Sequence, residues 1–195
     1  MPNIKALHLQ VKIKGRKIFS DLQFSLKSGE GLRVLGPNGS GKTVLLQVMA
    51  GILPPSSGAL SVDLTGGSGR PVFLPYHGHY DDFLKVDEFL SCWGQMAYME
   101  REIDAWQLDN LLKQRVAHLS VGQFKRVLLA TCLSKASSLI LLDEPTAGLD
   151  DSFIPILQDQ LRQRMDGGVM LMVATHQPEI FTGERWGVLN MGASA

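Results

Sequence analysis

Three groups of residues in this sequence are of types and spacings that could do chemistry together. The first is Gly36-Pro37-Asn38-Gly39-Ser40-Gly41-Lys42-Thr43, which satisfies the pattern G-x-x-x-x-G-K-[ST]. Glycines at these spacings let the backbone wrap closely, so that successive N–H groups face phosphate oxygens, and the N-terminus of a following helix adds its dipole. Lys42 is placed to reach the β- and γ-phosphates of a nucleoside triphosphate, and the Thr43 hydroxyl to ligate Mg²⁺. The second group is Asp143-Glu144, closing the apolar run SLILLDEP. A carboxylate at the C-terminal end of a parallel strand sits where α/β proteins bind ligands. Asp143 suits holding Mg²⁺ through water, and Glu144 suits acting on the attacking water as base or polariser. The third is His176, which follows VMLMVAT. If its strand neighbours that of Glu144, both side chains emerge at one sheet edge and His176 can contact a γ-phosphate.

The elements that must position these groups are legible from hydrophobic patterning. LRVL before the glycine-rich loop reads as a buried strand, and the residues after it as a helix stopped by Gly51 and PPSSG. Ile4–Ile13 and Phe19–Leu26 alternate apolar and polar residues around a Gly15 turn, predicting an antiparallel pair. From Val86 to about Leu112 the pattern is helical and rich in large side chains, among them Phe89, Leu90, Trp93, Met96, Tyr98, Met99 and Trp106. A further helix is expected from near Gly122 to near Lys135. Phe153, Leu157, Leu161 and Met165 recur every four residues, as on an amphipathic helix. SLILLDEP, GVMLMVATH and WGVLNM supply buried strands. Strands alternating with helices predict an α/β core with a parallel sheet.

Composition narrows the function classes. Nineteen Lys and Arg balance nineteen Asp and Glu, so no overall field gathers nucleic acid. The alternating, lysine-bearing N-terminus reads as a strand and not a signal peptide. No apolar run approaches the roughly 18–20 residues that span a bilayer. Cys92 and Cys132 lie in helix-like surroundings and are expected to be reduced core thiols. No internal repeat and no linker between independent domains is visible.

With these residues in place, the sequence resembles the ATP-binding-cassette (ABC) ATPases. The resemblance rests on the phosphate loop at 36–43, LSVGQ at 119–123, LLDEP at 141–145, AGLD at 147–150 and ATHQ at 174–177, in that order along nearly the whole chain. It implies a P-loop NTPase core with a parallel sheet, a small antiparallel β-subdomain and an inserted helical subdomain. The core and β-subdomain would take residues 1–84 and 136–195, and the helical part about 85–135. The resemblance further implies two copies sandwiching two ATP molecules head to tail. Ser120, Gly122 and Gln123 would then contact the γ-phosphate held by the other copy, Asp150 would lie at the dimer seam, and His176 would be the switch histidine. Within the family, the short chain and the THQP tetrapeptide at 175–178 resemble the ATPase subunit of the bacterial haem exporter of cytochrome c maturation.

Three positions depart from the family pattern. Val121 replaces the first glycine of the signature; at a helix start a β-branched residue costs a few tenths of a kcal/mol, and is serious only if φ must be positive. His77, or no equivalent residue, falls where a glutamine usually contacts Mg²⁺ and the attacking water; with His79 it forms an i, i+2 pair that could suggest a metal site but without further ligands is more often incidental. Ile13 aligns with the aromatic residue that usually stacks on adenine, leaving Phe19 as an alternative.

The expected function is therefore an ATPase, using ATP and Mg²⁺, that energises a separate integral membrane transporter subunit. The same reading expects a homodimer, peripheral on the cytoplasmic face of the inner membrane, with no nucleic-acid partner. The large side chains around Tyr80–Trp106 could form the partner's docking groove or simply the core of a helical lobe. The alternatives are a nucleotide-binding scaffold with little hydrolysis, motivated by Val121 and His77, and a non-transport ABC ATPase.

Overall fold

The computed structural model describes residues 2–65, 70–76, 83–94 and 96–192. Five strands form a parallel sheet in the order β5 (Val72–Leu74), β6 (Leu139–Asp143), β7 (Met170–Ala174), β3 (Gly31–Leu35) and β8 (Trp186–Asn190). β6 and β7 are buried along their whole length, as their unbroken apolar sequences require. Their alternate residues feed two separate apolar cores. Leu139, Leu141, Met170 and Met172 face the core shared with helix α1 (Lys42–Met49) and with the antiparallel sheet. Ile140, Leu142, Leu171 and Val173 face the core shared with α2 (Val86–Trp93), α3 (Met96–Ala105), α4 (Val121–Leu133) and α5 (Ile154–Asp166). Burying each such side chain is worth about 1.5–3 kcal/mol, so both faces of the sheet are held firmly. Among the described residues no helix is long and apolar enough to cross a membrane.

The predicted antiparallel pair is present and gains a third strand: β2 (Arg16–Lys27), β1 (Asn3–Ile13) and β4 (Ser57–Asp63) lie in that order. Alternation does not run unbroken along β1. Ile4 and Ala6 are buried, then Leu9 and Val11, because the register shifts between Ala6 and Leu9, where His8 takes a φ of 49°. One extra residue in the strand turns the later side chains to the opposite parity.

The long helical pattern divides into α2 and α3, α2 ending at Gly94. Phe89, Leu90, Met99 and Trp106 are core residues, whereas Phe83 and Trp93 are exposed. The expectation for the two cysteines is half right. Cys132 is buried, its thiol pushed up to about 12 by desolvation, but Cys92 is exposed in the last turn of α2. A buried polar contact ties α3 to α5: Glu102 accepts from the Arg164 guanidinium and from Trp106 Nε1 at 3.2 Å.

Candidate functional site

The C-terminal ends of β6, β7 and β3 lie side by side in the sheet, and the three chemical groups emerge there together. The strand order decides this, since β7 sits between the phosphate-loop strand and the strand ending in Asp143. Registers Asp143↔Ala174 and Val34↔Ala174 align the three ends.

The phosphate loop leaves β3 at Gly36 and enters α1 at Gly41, where φ is 95°. A side chain on Gly36 would lie 2.4 Å from the Met191 carbonyl, and one on Gly41 would lie 2.7 Å from Ile18 Cγ2, so both glycines are demanded by close approach. Lys42 is buried and its ammonium lies over the loop, donating to the carbonyls of Gly36 at 2.8 Å and Pro37 at 3.2 Å. Ser40 Oγ is buried with no protein partner among the described residues. A glycine-lined cradle with a free buried hydroxyl and a poised ammonium fits a polyphosphate.

Thr43 and Asp143 meet across the cleft, Thr43 Oγ1 donating to Asp143 Oδ2 at 2.7 Å. Burial pushes the Asp143 carboxyl above its ordinary value, offset by the hydrogen bonds from Thr43 and from the Tyr76 backbone. Glu144, the next residue, takes a left-handed backbone with φ 47°. Its N–H donates to the Ala174 carbonyl at 2.9 Å, and its carboxylate Oε2 lies 2.8 Å from His176 Nδ1. The expected juxtaposition of Glu144 and His176 is thus direct contact. Thr146 Oγ1 donates to Gln177 Oε1 at 2.7 Å, lacing the same two loops further out.

A cleft of about 550 Å³ is lined by Asn38, Gly39, Gly41, Lys42, Thr43, Asp143, Glu144 and His176, together with Ile18, Val44, Tyr76 and Ala147. That is within the size range of small-molecule sites. Ser120, Gly122, Gln123 and Asp150 do not line it. They cluster elsewhere on the same chain: the Gly122 Cα approaches the 148–150 turn so closely that a Cβ there would lie 3.1 Å from Asp150 Oδ2. Ser120 caps α4, its Oγ accepting from Gln123 N–H at 3.2 Å while Gln123 Oε1 accepts from Ser120 N–H at 2.9 Å. Val121 is the first helical residue and is absent from the left-handed residues, so the condition under which it would be harmful does not arise.

Neither residue considered for the adenine side stands in the cleft. Ile13 does not line it, and Phe19 is buried in the core; Ile18 between them supplies the apolar wall instead. His77, His79 and Tyr80 lie outside the described residues. Lys125 was not singled out from the sequence, yet it is buried and its ammonium donates to the Glu144 backbone carbonyl at 3.0 Å. A signal was there: Gly122, Lys125, Arg126, Leu129, Ala130 and Leu133 follow helical spacing along the buried face of α4.

Residues 19–147 match the model of the ABC transporter family. The chain belongs to that family and is one of its ATP-binding, ATP-hydrolysing subunits. It is similar to the cytochrome c biogenesis ATP-binding export protein CcmA of Paramagnetospirillum magneticum, 38% identical over 83% of this chain and 82% of that protein. The protein of the same name from Bradyrhizobium diazoefficiens is 37% identical over 83% and 86% of the two chains. Among solved structures, the ATP-binding subunit of an ABC transporter superposes with a TM-score of 0.80 at 20% identity, covering 98% of this chain and 88% of that one. A nucleotide-free ATP-binding cassette from an ABC transporter gives 0.74 at 17%, covering 92% and 83%. At these identities the two structures speak to the fold, an α/β P-loop NTPase, and the CcmA proteins carry the closer likeness.

Proposed function

We propose that this chain is the ATPase of a haem exporter serving cytochrome c maturation. Two copies of the chain act together on a membrane-embedded partner, peripheral to the cytoplasmic face of the inner membrane. The likeness to the CcmA cytochrome c biogenesis export proteins supports the process, and the THQP tetrapeptide at 175–178 is a local resemblance that accompanies it. Residues 85–135 form the helical lobe in this reading, and 1–84 with 136–195 the nucleotide-binding lobe.

The observation that carries the catalytic reading is the Glu144–His176 contact, set in one cleft with the phosphate loop and the Thr43–Asp143 pair. Backbone N–H groups of 38–43 and the Lys42 ammonium hold the β- and γ-phosphates of ATP. Thr43 and Asp143 would hold Mg²⁺, Asp143 through a water, and the bound ion would neutralise developing phosphate charge. The buried Asp143 carboxylate beside the more open Thr43 hydroxyl fits a divalent cation that keeps several waters. Glu144 Oε2 takes the proton of the attacking water, and His176, fixed by that same carboxylate, contacts the γ-phosphate. Ser120, Gly122, Gln123 and Asp150 sit together on an outer face and complete the site of the second copy.

Substituting Glu144→Gln tests the reading. Turnover should fall by ~10²–10⁴ while ATP binding persists and an ATP-bound dimer accumulates. Unchanged turnover would remove Glu144 from the mechanism. ATP binding without turnover in the wild type, even with its membrane partner present, would favour a nucleotide-binding scaffold instead.

A further inference from the structure

The Glu144 backbone is held at three points. Its carbonyl already accepts the Ala147 N–H at 3.2 Å, closing the turn at Pro145, and its N–H is bonded to Ala174. Lys125 adds a second donor to that carbonyl from α4, at 3.0 Å. Burying an ammonium is expensive, and an apolar side chain of similar length would pack at less cost. Lys125 forms no ion pair among the described residues; the charged and titratable groups around it are Asp143, Glu144 and the Cys132 thiol. A buried cation spent as the second donor to a carbonyl that already accepts one backbone N–H marks a position where direction matters. The left-handed φ of Glu144 is a sparsely populated conformation that surrounding contacts must enforce. Two of those contacts come from strand ends and their turn, and Lys125 alone of the three reaches in from α4. The first turn of that helix holds Gly122 and Gln123, capped by Ser120.

We propose that Lys125 is a positioning residue for ATP hydrolysis. Its ammonium fixes the Glu144 backbone, and with it the carboxylate beside His176, to the helix whose N-terminus carries the signature. A shift of α4 is thereby transmitted to the catalytic carboxylate of the same chain. The proposal rests on the reading of Glu144 as the base.

The test is steady-state MgATP hydrolysis by the full chain at neutral pH, with ATP affinity and melting temperature measured on the same samples. Lys125→Met should lower kcat roughly 10- to 100-fold, the scale of a small misplacement of a reacting group, with KM and ATP affinity little changed. Lys125→Arg, which keeps a cationic donor, should recover most of the lost kcat. Because Lys125 acts through Glu144, adding Lys125→Met to Glu144→Gln should slow that variant no further. A kcat for Lys125→Met within about 2-fold of wild type, with Glu144→Gln inactive, would overturn this inference and leave the base reading intact. A double variant slower than Glu144→Gln by the full factor of Lys125→Met would overturn it too. Wild-type turnover in Glu144→Gln would overturn both. If Lys125→Met does not fold, Lys125→Gln, too short to reach the carbonyl, is held to the same outcomes.

Discussion

Val121 Cγ1 lies over Gly148, only 2.7 Å from where a Cβ on that glycine would stand. The valine that breaks the signature pattern is thus accommodated by the turn it faces, whose glycine carries no side chain and has a φ of +74°. Val121 itself is 76% exposed, so its remaining surface is free of the core.

Gly148→Ala should therefore be destabilising twice over, by the left-handed backbone and by the collision with Val121. We expect a loss of about 2 kcal/mol in urea unfolding, with Val121→Gly in the same chain relieving the collision and leaving about 1 kcal/mol from the backbone. Equal losses in the single and double variants would show that the two residues do not press on each other.

Lys42→Ala should cut ATP affinity by roughly 10-fold or more, since a charge-assisted contact to phosphate is removed. The fold should be unaffected, because the hydrogen bonds of Lys42 are to its own loop, at Gly36 and Pro37. Titration with a fluorescent ATP analogue, beside a thermal melt, reads both.

Asp143→Asn should raise the Mg²⁺ concentration for half-maximal turnover by about 10-fold, the usual weight of an outer metal partner. Burial already holds the Asp143 carboxyl above its ordinary value, so a neutral isostere relieves a desolvated charge and the melting temperature should not fall. A Mg²⁺ titration of ATPase rate decides the first point and calorimetry the second.

Burial pushes the Lys125 ammonium down from 10.5 to about 8. Between those values the unfolded chain binds a proton that the folded chain does not, so stability attributable to this group increases as pH rises from 8 to 10.5 and is lost as pH falls through 8. The difference in unfolding free energy between wild type and Lys125→Met should change in favour of wild type across that window, by on the order of 3 kcal/mol. Urea unfolding of both proteins at several pH values measures it; a constant difference would place the Lys125 titration outside the window.

The sequence by itself determined the phosphate loop, the strand ending in Asp143-Glu144 and the histidine after the next strand. Each is a local pattern whose meaning depends on a few neighbouring residues: glycine spacing, an unbroken apolar run, a polar residue where that run ends. The buried strands and the helical period of α5 were legible for the same reason. Tertiary structure alone decided which ends meet. The order β6-β7-β3 brings Glu144 to His176 and Thr43 to Asp143, and strand order is set by long-range pairing that no local pattern encodes. The parity change past the bulge at His8 and the placing of Ile18, not its neighbours, at the cleft wall follow from strand register, where a shift of one residue reverses which side chains point inward. Lys125 belongs to both accounts: helical spacing put it on the buried face of α4, but only the packing of that helix against the end of β6 gave its charge the Glu144 carbonyl to hold.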